Sequence, residues 1–449
     1  MKSWQHYLPV WLLLLSLLFA HWLPAAQIAA NPRNYAGLIK SLNPGDTLRL
    51  APGQYRGGLR IHRLHGEPRR PIVIEGPAEG EPAVFLGRPG RNSVSILDSA
   101  HVVIRNLEID GQGAFVDAVK AEGHARYAHN ITLENLLIHG FDANQQSVGI
   151  STKCPAWDWV VRGNRIRNVG TGMYFGNSDG SAPFVGGLIE HNEVTGTIGY
   201  NLQVKHQKLR PLLAGLPLRP RVTTIRHNLF SKGENSSTAE WARPNVLLGH
   251  FPPTGPGSQD SYLVYANLFL QNPNEALFQG EGNIALYSNL FFNSQRNDFP
   301  AIAIQPHNDI PRDIVVLHNT VVNPGRGIRV LRKEEDWVDA QEVIGNAVFA
   351  SWPLSGGRQS QNFVAVFSAA DGFLKSPSDD PAGLDLAPLD DRLGGAEVEL
   401  ARFTQLPQVE RDFSGLARSG GWHGACLPGP DDLCGAKSVG PGNQRTARR

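Results

Sequence analysis

The sequence has few cysteines, almost no net charge and little helical patterning. Its 449 residues include three cysteines and 42 basic side chains against 41 acidic ones, for a formal net charge of +1. Without a basic excess there is no global reason to expect nucleic acid as a partner, because phosphates need surplus cations. Any attraction for an anionic ligand must therefore be local. Apolar residues at helical spacing are nearly absent, which argues against a helical repeat fold.

The three cysteines predict at most one disulfide. Cys426 and Cys434 flank a turn-rich loop at residues 427–433, and an oxidising compartment would favour a bond between them. Cys154 is then unpaired, and we interpret it as a partly buried thiol and not as a nucleophile.

Long apolar runs are confined to the amino terminus. Lys2 precedes an apolar stretch from Leu8 to Ala20, which is too short to span a bilayer comfortably. Small residues follow, so residues 1–30 are interpreted as a secretory signal, with an uncleaved anchor as the alternative. Because no second long apolar run occurs, we expect a periplasmic or secreted protein with no stable membrane insertion after cleavage.

One short pattern recurs along the chain: an apolar residue, two residues, Asn, one residue, and a second apolar residue. It occurs seven times, centred on Asn164, Asn192, Asn228, Asn267, Asn289, Asn319 and Asn346. Two earlier variants place Leu107 and Leu136 in this column, with an Asn one step before. The shortest interval is 22 residues (267 to 289) and the longest is 39 (228 to 267). Such periods indicate stacked repeats, so we predict one long domain over residues 31–350.

The repeats are built from short strands with apolar residues at alternate positions, as a stacked sheet requires. Asn suits a tight corner because it tolerates unusual backbone angles, and its amide can bond the same amide one coil away, at about 4.8 Å. We therefore predict a structural Asn column. His191, His227 and His318 directly precede members of this column, and we expect them on a strand edge or outer face.

The opening of the chain carries a more specific likeness. The segment from Asn34 to Leu42 resembles the amphipathic helix that caps β-helix proteins of the pectate lyase-like superfamily. The stretch from Gly45 to Ile74, with Pro52-Gly53-Gln54-Tyr55, is similar to the start of the alginate lyase and chondroitinase B family. The resemblance implies an all-β fold, a right-handed parallel β-helix (solenoid) with an N-terminal capping helix and an irregular C-terminal cap. It also implies that the protein acts on or binds a polysaccharide.

The repeat periodicity ends near Phe349, and Gly, Pro and Asp become frequent. We predict that residues 351–435 cover the open end of the helix, where exposed strand edges would otherwise invite association, and we expect a monomer. The segment from Asp412 to Arg418 resembles the closing segment of exported β-helix proteins. Residues 436–449 are predicted to be a disordered tail.

A second strand follows most of the Asn motifs, and its outward positions predict a polar lateral face that would bind the polysaccharide. The substrate-binding candidates on these strands are Lys153, Tyr174, Gln203, Gln305 and Arg329. The two longest intervals contain insertions, and extra loops on one side of a solenoid often build its binding face. These insertions span Lys208 to Arg221, Ser231 to Pro244 and Phe251 to Gln259, and they add Trp241 and Arg243 as substrate-binding candidates.

A lyase acting on a uronic acid polymer needs a base beside the carbon that carries the carboxylate, and a cation or metal to neutralise that carboxylate. We predict Lys205 as the catalytic base, with His206 or His250 as an alternative base or acid. Arg243 or Arg329 would offset the substrate charge. The alternative is that Lys205 is an ordinary solvated lysine. Calcium is the cofactor considered, with Glu190, Glu193 and Glu281 as candidate ligands, none at a telling spacing.

The leading function is thus a polysaccharide lyase that cleaves a uronic acid polymer by β-elimination. The alternatives are a non-catalytic protein that binds or guides a polysaccharide, and a uronate epimerase, which would share the proton abstraction. A hydrolase of the polygalacturonase type is disfavoured. Its pattern is Asn-x-Asp followed by Asp-Asp, but after Asn177-Ser178-Asp179 no such pair occurs before Asp379-Asp380.

Overall fold

The computed structural model describes residues 25–295, 298–306, 311–331, 341–429 and 434–441. Almost all regular structure in these ranges is β, and nearly all strand pairing is parallel. Successive strands of the chain pass through three stacks, and each strand pairs with the strand one coil earlier and one coil later. The predicted fold is therefore confirmed: the chain is a right-handed parallel β-helix.

The first stack contains the strands that precede the Asn column. Its members are β1 (Gln27–Ala30), β2 (Thr47–Leu50), β5 (Ile72–Glu75), β8 (Ser99–Arg105), β11 (Ala128–Glu134), β15 (Val160–Arg162), β19 (Leu188–Glu190), β22 (Val222–Arg226), β25 (Ser261–Tyr265), β28 (Ile284–Tyr287), β31 (Ile314–Leu317), β33 (Gln341–Ile344) and β35 (Arg358–Ser360). Two short strands, β14 (Ala156–Trp157) and β18 (Phe184–Val185), extend it at one edge.

The second stack follows the Asn column. It contains β3 (Gly53–Tyr55), β6 (Ala83–Leu86), β9 (Leu107–Asp110), β12 (Leu137–Phe141), β16 (Arg165–Val169), β20 (Glu193–Thr195), β23 (Leu229–Ser231), β26 (Leu268–Leu270), β29 (Leu290–Phe292), the first part of β32 (Thr320–Val330), the first part of β34 (Ala347–Ser355) and β36 (Phe363–Ala365).

The third stack contains the second strands that the sequence predicts. Its members are β4 (Leu59–His62), β7 (Val94–Leu97), β10 (Val119–Ala121), β13 (Val148–Thr152), β17 (Thr171–Phe175), β21 (Leu202–Val204), β24 (Val246–Leu248), β27 (Phe278–Gly280), β30 (Pro300–Ile304) and the second parts of β32 and β34. Inward residues such as Ile150, Leu202 and Val246 are fully buried and fill the core between the three stacks.

The amino-terminal end is closed by a short helical segment. Helix α1 (Tyr35–Leu38) continues into a 3-10 turn (Ile39–Ser41), close to the predicted capping helix. Strand β1 lies inside the predicted signal segment 1–30 and Ala30 is buried, so cleavage before Gln27 would leave this strand intact. Residues 1–24 lie outside the described part of the chain. No helix within the described ranges is long and apolar enough to cross a membrane.

The Asn column forms a hydrogen-bonded ladder at the corner between the first and second stacks. Each side-chain amide donates to the amide oxygen of the next coil, for example Asn192 Nδ2 to Asn228 Oδ1 at 2.9 Å. The same oxygen also accepts the backbone N–H of Asn192 at 2.9 Å. We name this series the Asn ladder: Asn164, Asn192, Asn228, Asn267, Asn289, Asn319, Asn346 and Asn362. Its structural role is as predicted.

The unusual backbone angles are not those of the ladder residues themselves. The residue before each ladder Asn takes the left-handed conformation, with φ of 55° at His191, 54° at His227 and 51° at His318. The two early variants fit this arrangement, because Asn106 and Asn135 occupy that left-handed position. The three histidines lie at a strand edge, as expected, because they directly follow β19, β22 and β31, but they are buried there, at 8%, 8% and 5% exposed.

The outward residues of the first stack form a column of alternating charge, which we name the charge ladder. Its members, in coil order, are Arg49, Glu75, Arg105, Glu134, Arg162, Glu190 and Arg226. The Arg105–Glu75 and Arg226–Glu190 ion pairs measure 2.6 and 2.7 Å. Arg162 lies farther from its neighbours, 3.8 Å from Glu190. Each charge in this column therefore has an opposite charge on a neighbouring coil.

The β-helix continues beyond residue 350, because β35 and β36 add a further coil and Asn362 extends the Asn ladder. The carboxyl-terminal segment then covers more than the open end. It packs along the outside of the first and second stacks, where Tyr265, Tyr287 and Phe292 contact a second core that includes Leu386 and Phe413.

The end of this segment is also ordered where it is described. Residues Ala436–Ser438 form a 3-10 turn, Val439 is buried, and the Gly440 backbone N–H donates to the His227 carbonyl oxygen at 3.1 Å. The predicted disordered tail therefore does not begin at residue 436; its remainder, 442–449, lies outside the described residues. A disulfide joins Cys426 and Cys434, with Cα atoms 6.3 Å apart, and Cys154 is free and buried.

Candidate functional site

The third stack presents the polar face that the sequence predicts. Strand register aligns its central outward residues in one column: Lys120, Ser151, Tyr174, Gln203, Leu247, Gln279, Ala303 and Arg329. We name this column, with the residues that directly follow its strands, the polar face. Unlike the charge ladder, it does not pair a cation with an acid on each coil. In the central column, Lys120 forms an ion pair with Asp117 at 3.1 Å.

Lys205 directly follows β21 and is flanked by glycine on both neighbouring coils. Gly176 follows β17 and Gly249 follows β24 at equivalent register. Glycine is required at position 249, because a Cβ there would lie 2.3 Å from the backbone nitrogen of His206. No side chain from an adjacent coil therefore stands beside Lys205 in its own column.

Burial and charge act in opposite directions on Lys205. Partial burial lowers the pKa of its ammonium group, and the carboxylate of Glu281, which lies beyond Gly249, raises it; burial is the larger effect. A lysine with a lowered pKa is neutral more often near neutral pH, as a general base must be. This is the property that the lyase hypothesis requires of Lys205.

His206 and His250 come together beside Lys205. Their rings stack with centroids 5.1 Å apart and planes 16° apart. Burial lowers the pKa of His206, and the nearby Lys205 and His250 lower it further. The three predicted catalytic residues thus lie at one end of adjacent strands, which is the arrangement that the sequence spacing suggested.

A second lysine on the same face was predicted only to bind substrate. Lys153 Nζ lies 3.2 Å from the ring centroid of Tyr174. Burial lowers the pKa of Lys153 to about 7, although Asp117 raises it. Lys153 therefore also has the protonation behaviour of a base. The sequence offered no sign of this, because the burial comes from residues on neighbouring coils.

The insertions flank the polar face on both of its sides, whereas the sequence suggested one side. Loop 231–244 lies before β24, and loops 208–221 and 251–259 lie beyond the carboxyl ends of β21 and β24. A buried ion pair between Arg210 and Asp260 anchors loop 208–221.

The 231–244 loop is the wall opposite the two histidines. Lys232 is 3% exposed and donates from Nζ to the Arg243 carbonyl oxygen at 2.7 Å. The Arg243 guanidinium bonds carbonyl oxygens of its own loop and lies 5.9 Å from the Tyr200 ring centroid. Trp241 is 56% exposed on this loop. Lys232 and Tyr200 carry no signal in the sequence, because their burial arises only when the loop folds back.

Two predicted substrate-binding residues lie far along the face. Arg329 is four coils from Gln203 in the register, about 19 Å at roughly 4.8 Å per coil. Gln305 follows β30, three coils beyond Lys205. Neither belongs to the cluster around Lys205, so Arg329 is not placed to offset a charge there; a shared role would need a ligand spanning several coils.

The calcium candidates do not come together. Glu190 belongs to the charge ladder, and Glu193 pairs with Arg165 at 3.6 Å on the second stack. Of the three, Glu281 is the one on the polar face. The described residues contain no group of three or more His, Cys, Asp or Glu side chains arranged to hold a metal ion. We therefore derive no catalytic step through calcium.

Comparison with known proteins identifies the fold. No family model and no curated protein matches the sequence. A variant of the PL6 family alginate lyase AlyGC superposes with a TM-score of 0.54 and 13% identity, over 93% of this chain and 59% of its own. The pectate lyase Pel9A superposes with a TM-score of 0.51 and 13% identity, over 90% of this chain and 97% of its own. The chain has the fold of these β-helix lyases. At such low identity the likeness extends to the fold alone.

Proposed function

We propose that this protein is an exported polysaccharide lyase that cleaves a uronic acid polymer by β-elimination, with Lys205 as the base. The observation that carries the proposal is Lys205 itself, whose pKa is lowered by burial and which stands between Gly176 and Gly249 on the polar face, beside the stacked rings of His206 and His250. The two stacked histidines beside it supply further proton-transfer groups. The shared fold with an alginate lyase and a pectate lyase supports this choice of chemistry as an analogy.

The reaction would proceed as a proton abstraction followed by loss of the linked sugar. Lys205 takes the proton from the carbon beside the carboxylate, and the released electron pair forms a double bond to the adjacent carbon. The bond from that carbon to the linking oxygen breaks, and the oxygen takes a proton. We assign this proton to His206 or His250, whose stacked rings lie beside Lys205.

The test is the ultraviolet absorbance of the unsaturated uronide product, measured with mature protein on alginate, pectate and chondroitin. We expect absorbance to rise on at least one polymer and to be lost in Lys205→Ala. Lys208→Ala is the matched control, because Lys208 is exposed three residues away. No product on any polymer, or full activity in Lys205→Ala, would refute this lyase proposal.

The second candidate is a protein that binds or guides a polysaccharide without cleaving it. Gly176 and Gly249 leave the coils beside Lys205 without an arginine in its column, so no fixed guanidinium is placed there to neutralise a uronate carboxylate. Binding by calorimetry without product formation would favour this candidate. A uronate epimerase would also leave the chain uncut, but it would change the uronate composition seen by NMR.

Export is part of the proposal and has its own support. The Cys426–Cys434 disulfide suits an oxidising compartment, and the apolar amino-terminal stretch suits a secretory signal. Cell fractionation with amino-terminal sequencing would test it. We expect a processed protein outside the cytoplasm whose first residue lies at or before Gln27, whereas an unprocessed cytoplasmic protein would refute export.

A further inference from the structure

A second cationic region lies on the third stack near the amino-terminal end of the helix. It is a cleft of about 260 Å³, which we name the basic cleft. Its charged and titratable lining residues are Arg60, His62, Arg88, Arg91, Glu122 and His124. Three guanidinium groups face one carboxylate here, so the cleft carries a positive charge without counting its histidines.

The arginines of the basic cleft form no ion pairs with the described residues. The arginines of the charge ladder each lie near a ladder glutamate, but Arg60, Arg88 and Arg91 have no carboxylate within ion-pair distance among the described residues. The Nε atom of Arg88 is buried and makes no hydrogen bond in the described part of the chain. Such groups favour a ligand that brings its own negative charge.

Glu122 is satisfied by neutral donors and leaves the arginines available. Its Oε1 accepts hydrogen bonds from Asn92 Nδ2 at 3.0 Å and from Ser95 Oγ at 2.8 Å. His62 Nε2 lies 3.0 Å from the same Ser95 hydroxyl, and burial lowers the pKa of His62. Because these polar groups satisfy one another, the guanidinium groups are what the cleft offers to a ligand.

A tight turn positions two of the arginines. The backbones of Arg88 and Arg91 form an isolated antiparallel β-bridge on either side of Pro89-Gly90. Gly90 has a φ of 73°. Gly58 lies beneath the Arg88 guanidinium, and a Cβ there would lie 2.6 Å from Nη2. The missing side chain at position 58 therefore lets Arg88 lie across the floor of the cleft.

The basic cleft lies on the same face as Lys205. Arg60 is in register with Ser95, Lys120, Ser151, Tyr174 and Gln203. Those five steps correspond to about 24 Å along the helix at roughly 4.8 Å per coil. A polymer lying along the helix axis over Lys205 would reach the cleft, whereas a short oligosaccharide at Lys205 would not.

We propose that the basic cleft is a distal subsite for a carboxylate or sulfate group of the same glycan chain that occupies Lys205. This inference rests on the proposed polysaccharide function and adds that the protein recognises a long anionic chain along its axis. Its consequence is a length threshold in affinity, because only chains that span both regions gain the arginine contacts.

The test is calorimetric titration of uncut oligosaccharides of increasing length, in one unsulfated uronate series and one sulfated series. Lys205→Ala is the background in every variant, so that no chain is cleaved during the measurement. Arg60→Gln with Arg91→Gln removes two of the cleft cations, and Arg60→Lys with Arg91→Lys retains their charge. Arg49→Gln with Arg165→Gln is the matched control, because it makes the same change in charge on the other two stacks.

We expect the glutamine pair to weaken binding of long chains about tenfold or more and to leave short chains unchanged. The lysine pair should recover part of the loss, and the series that shows it identifies the anion. Equal long-chain affinity in the glutamine pair and its parent would overturn the distal subsite alone. If neither this parent nor the protein with Lys205 intact binds a chain of either series, the proposed function fails as well.

Discussion

The charge ladder and the polar face are two outward columns of the same β-helix. They differ in whether each charged side chain has an opposite charge on an adjacent coil. On the first stack each cation has an acid on an adjacent coil, as with Arg105 and Glu75 at 2.6 Å. On the third stack Lys205 has glycine on both adjacent coils, and Lys153 lies against the ring of Tyr174. Both columns are polar and outward, so composition alone does not distinguish them.

The difference shows that the residue one coil away decides what an outward charge can do. When that residue has the opposite sign, the two charges satisfy each other and retain little attraction for a ligand. When it is glycine, serine or an aromatic residue, the charge remains available. The carboxyl-terminal segment reinforces this division, because it packs over the first and second stacks.

The largest effect is expected when Lys205 is removed from the polar face, and it is an effect on catalysis. Lys205→Ala should reduce lyase turnover by at least about a hundredfold, because it removes the base, with little change in the free energy of unfolding. Initial rates of product absorbance and urea denaturation measure the two effects. A variant that unfolds early and loses activity only in proportion would show that Lys205 is a structural residue.

Acid should lower the free energy of unfolding, because His191 and His227 are buried with lowered pKa values. Burial lowers the pKa of His227 to about 3, and it also lowers the pKa of His191. Below about pH 6.5 the unfolded chain binds protons that the folded chain does not, so stability present above that pH is lost as pH falls toward 3. His227 alone should cost about 1.4 kcal/mol per pH unit in this window.

Urea titrations at several pH values, with His227→Asn for comparison, measure this dependence. Asn tolerates the left-handed backbone at position 227 and does not titrate there. The variant should show a smaller slope of stability against pH between about 6.5 and 3. An unchanged slope would mean that other groups cause the acid sensitivity.

Breaking the charge ladder should reduce stability without reducing function. Glu190→Ala leaves Arg162 and Arg226 without their shared carboxylate, and Glu190 is 6% exposed. We expect a loss of about 2 kcal/mol, less than for a fully buried pair, because both guanidinium groups are partly in water. Unfolding by urea and glycan titration should show this loss with unchanged affinity; a large drop in affinity would contradict the division between the two columns.

The smallest effect is expected at Trp241 on loop 231–244. Trp241 is 56% exposed, so Trp241→Ala should leave stability nearly unchanged while weakening glycan binding about fivefold, if the ring stacks on a sugar. Trp241→Phe should restore most of the affinity. Calorimetric titration checks both variants, and equal affinity in all three proteins would remove Trp241 from the binding face.

Much of the fold could be predicted because its signals are local and periodic. The spacing of the Asn residues indicated the coils, and the alternation around Tyr174 and Gln203 indicated which side chains face outward. The proximity of His206 to His250 also followed, since both come just after aligned strands. The burial of Lys153 and Lys232 did not follow, because it depends on loops and coils distant in sequence.

The sequence by itself determined the coil, the Asn ladder and the strand that precedes Lys205, since each depends on residue type and spacing within one repeat. Only the tertiary structure decided which charges pair across coils, where loop 231–244 lies, and that the carboxyl-terminal segment reaches His227. The physical reason is that pairing and burial depend on neighbours outside the same repeat motif, whose positions are fixed only when the coils stack in register and the loops fold over them.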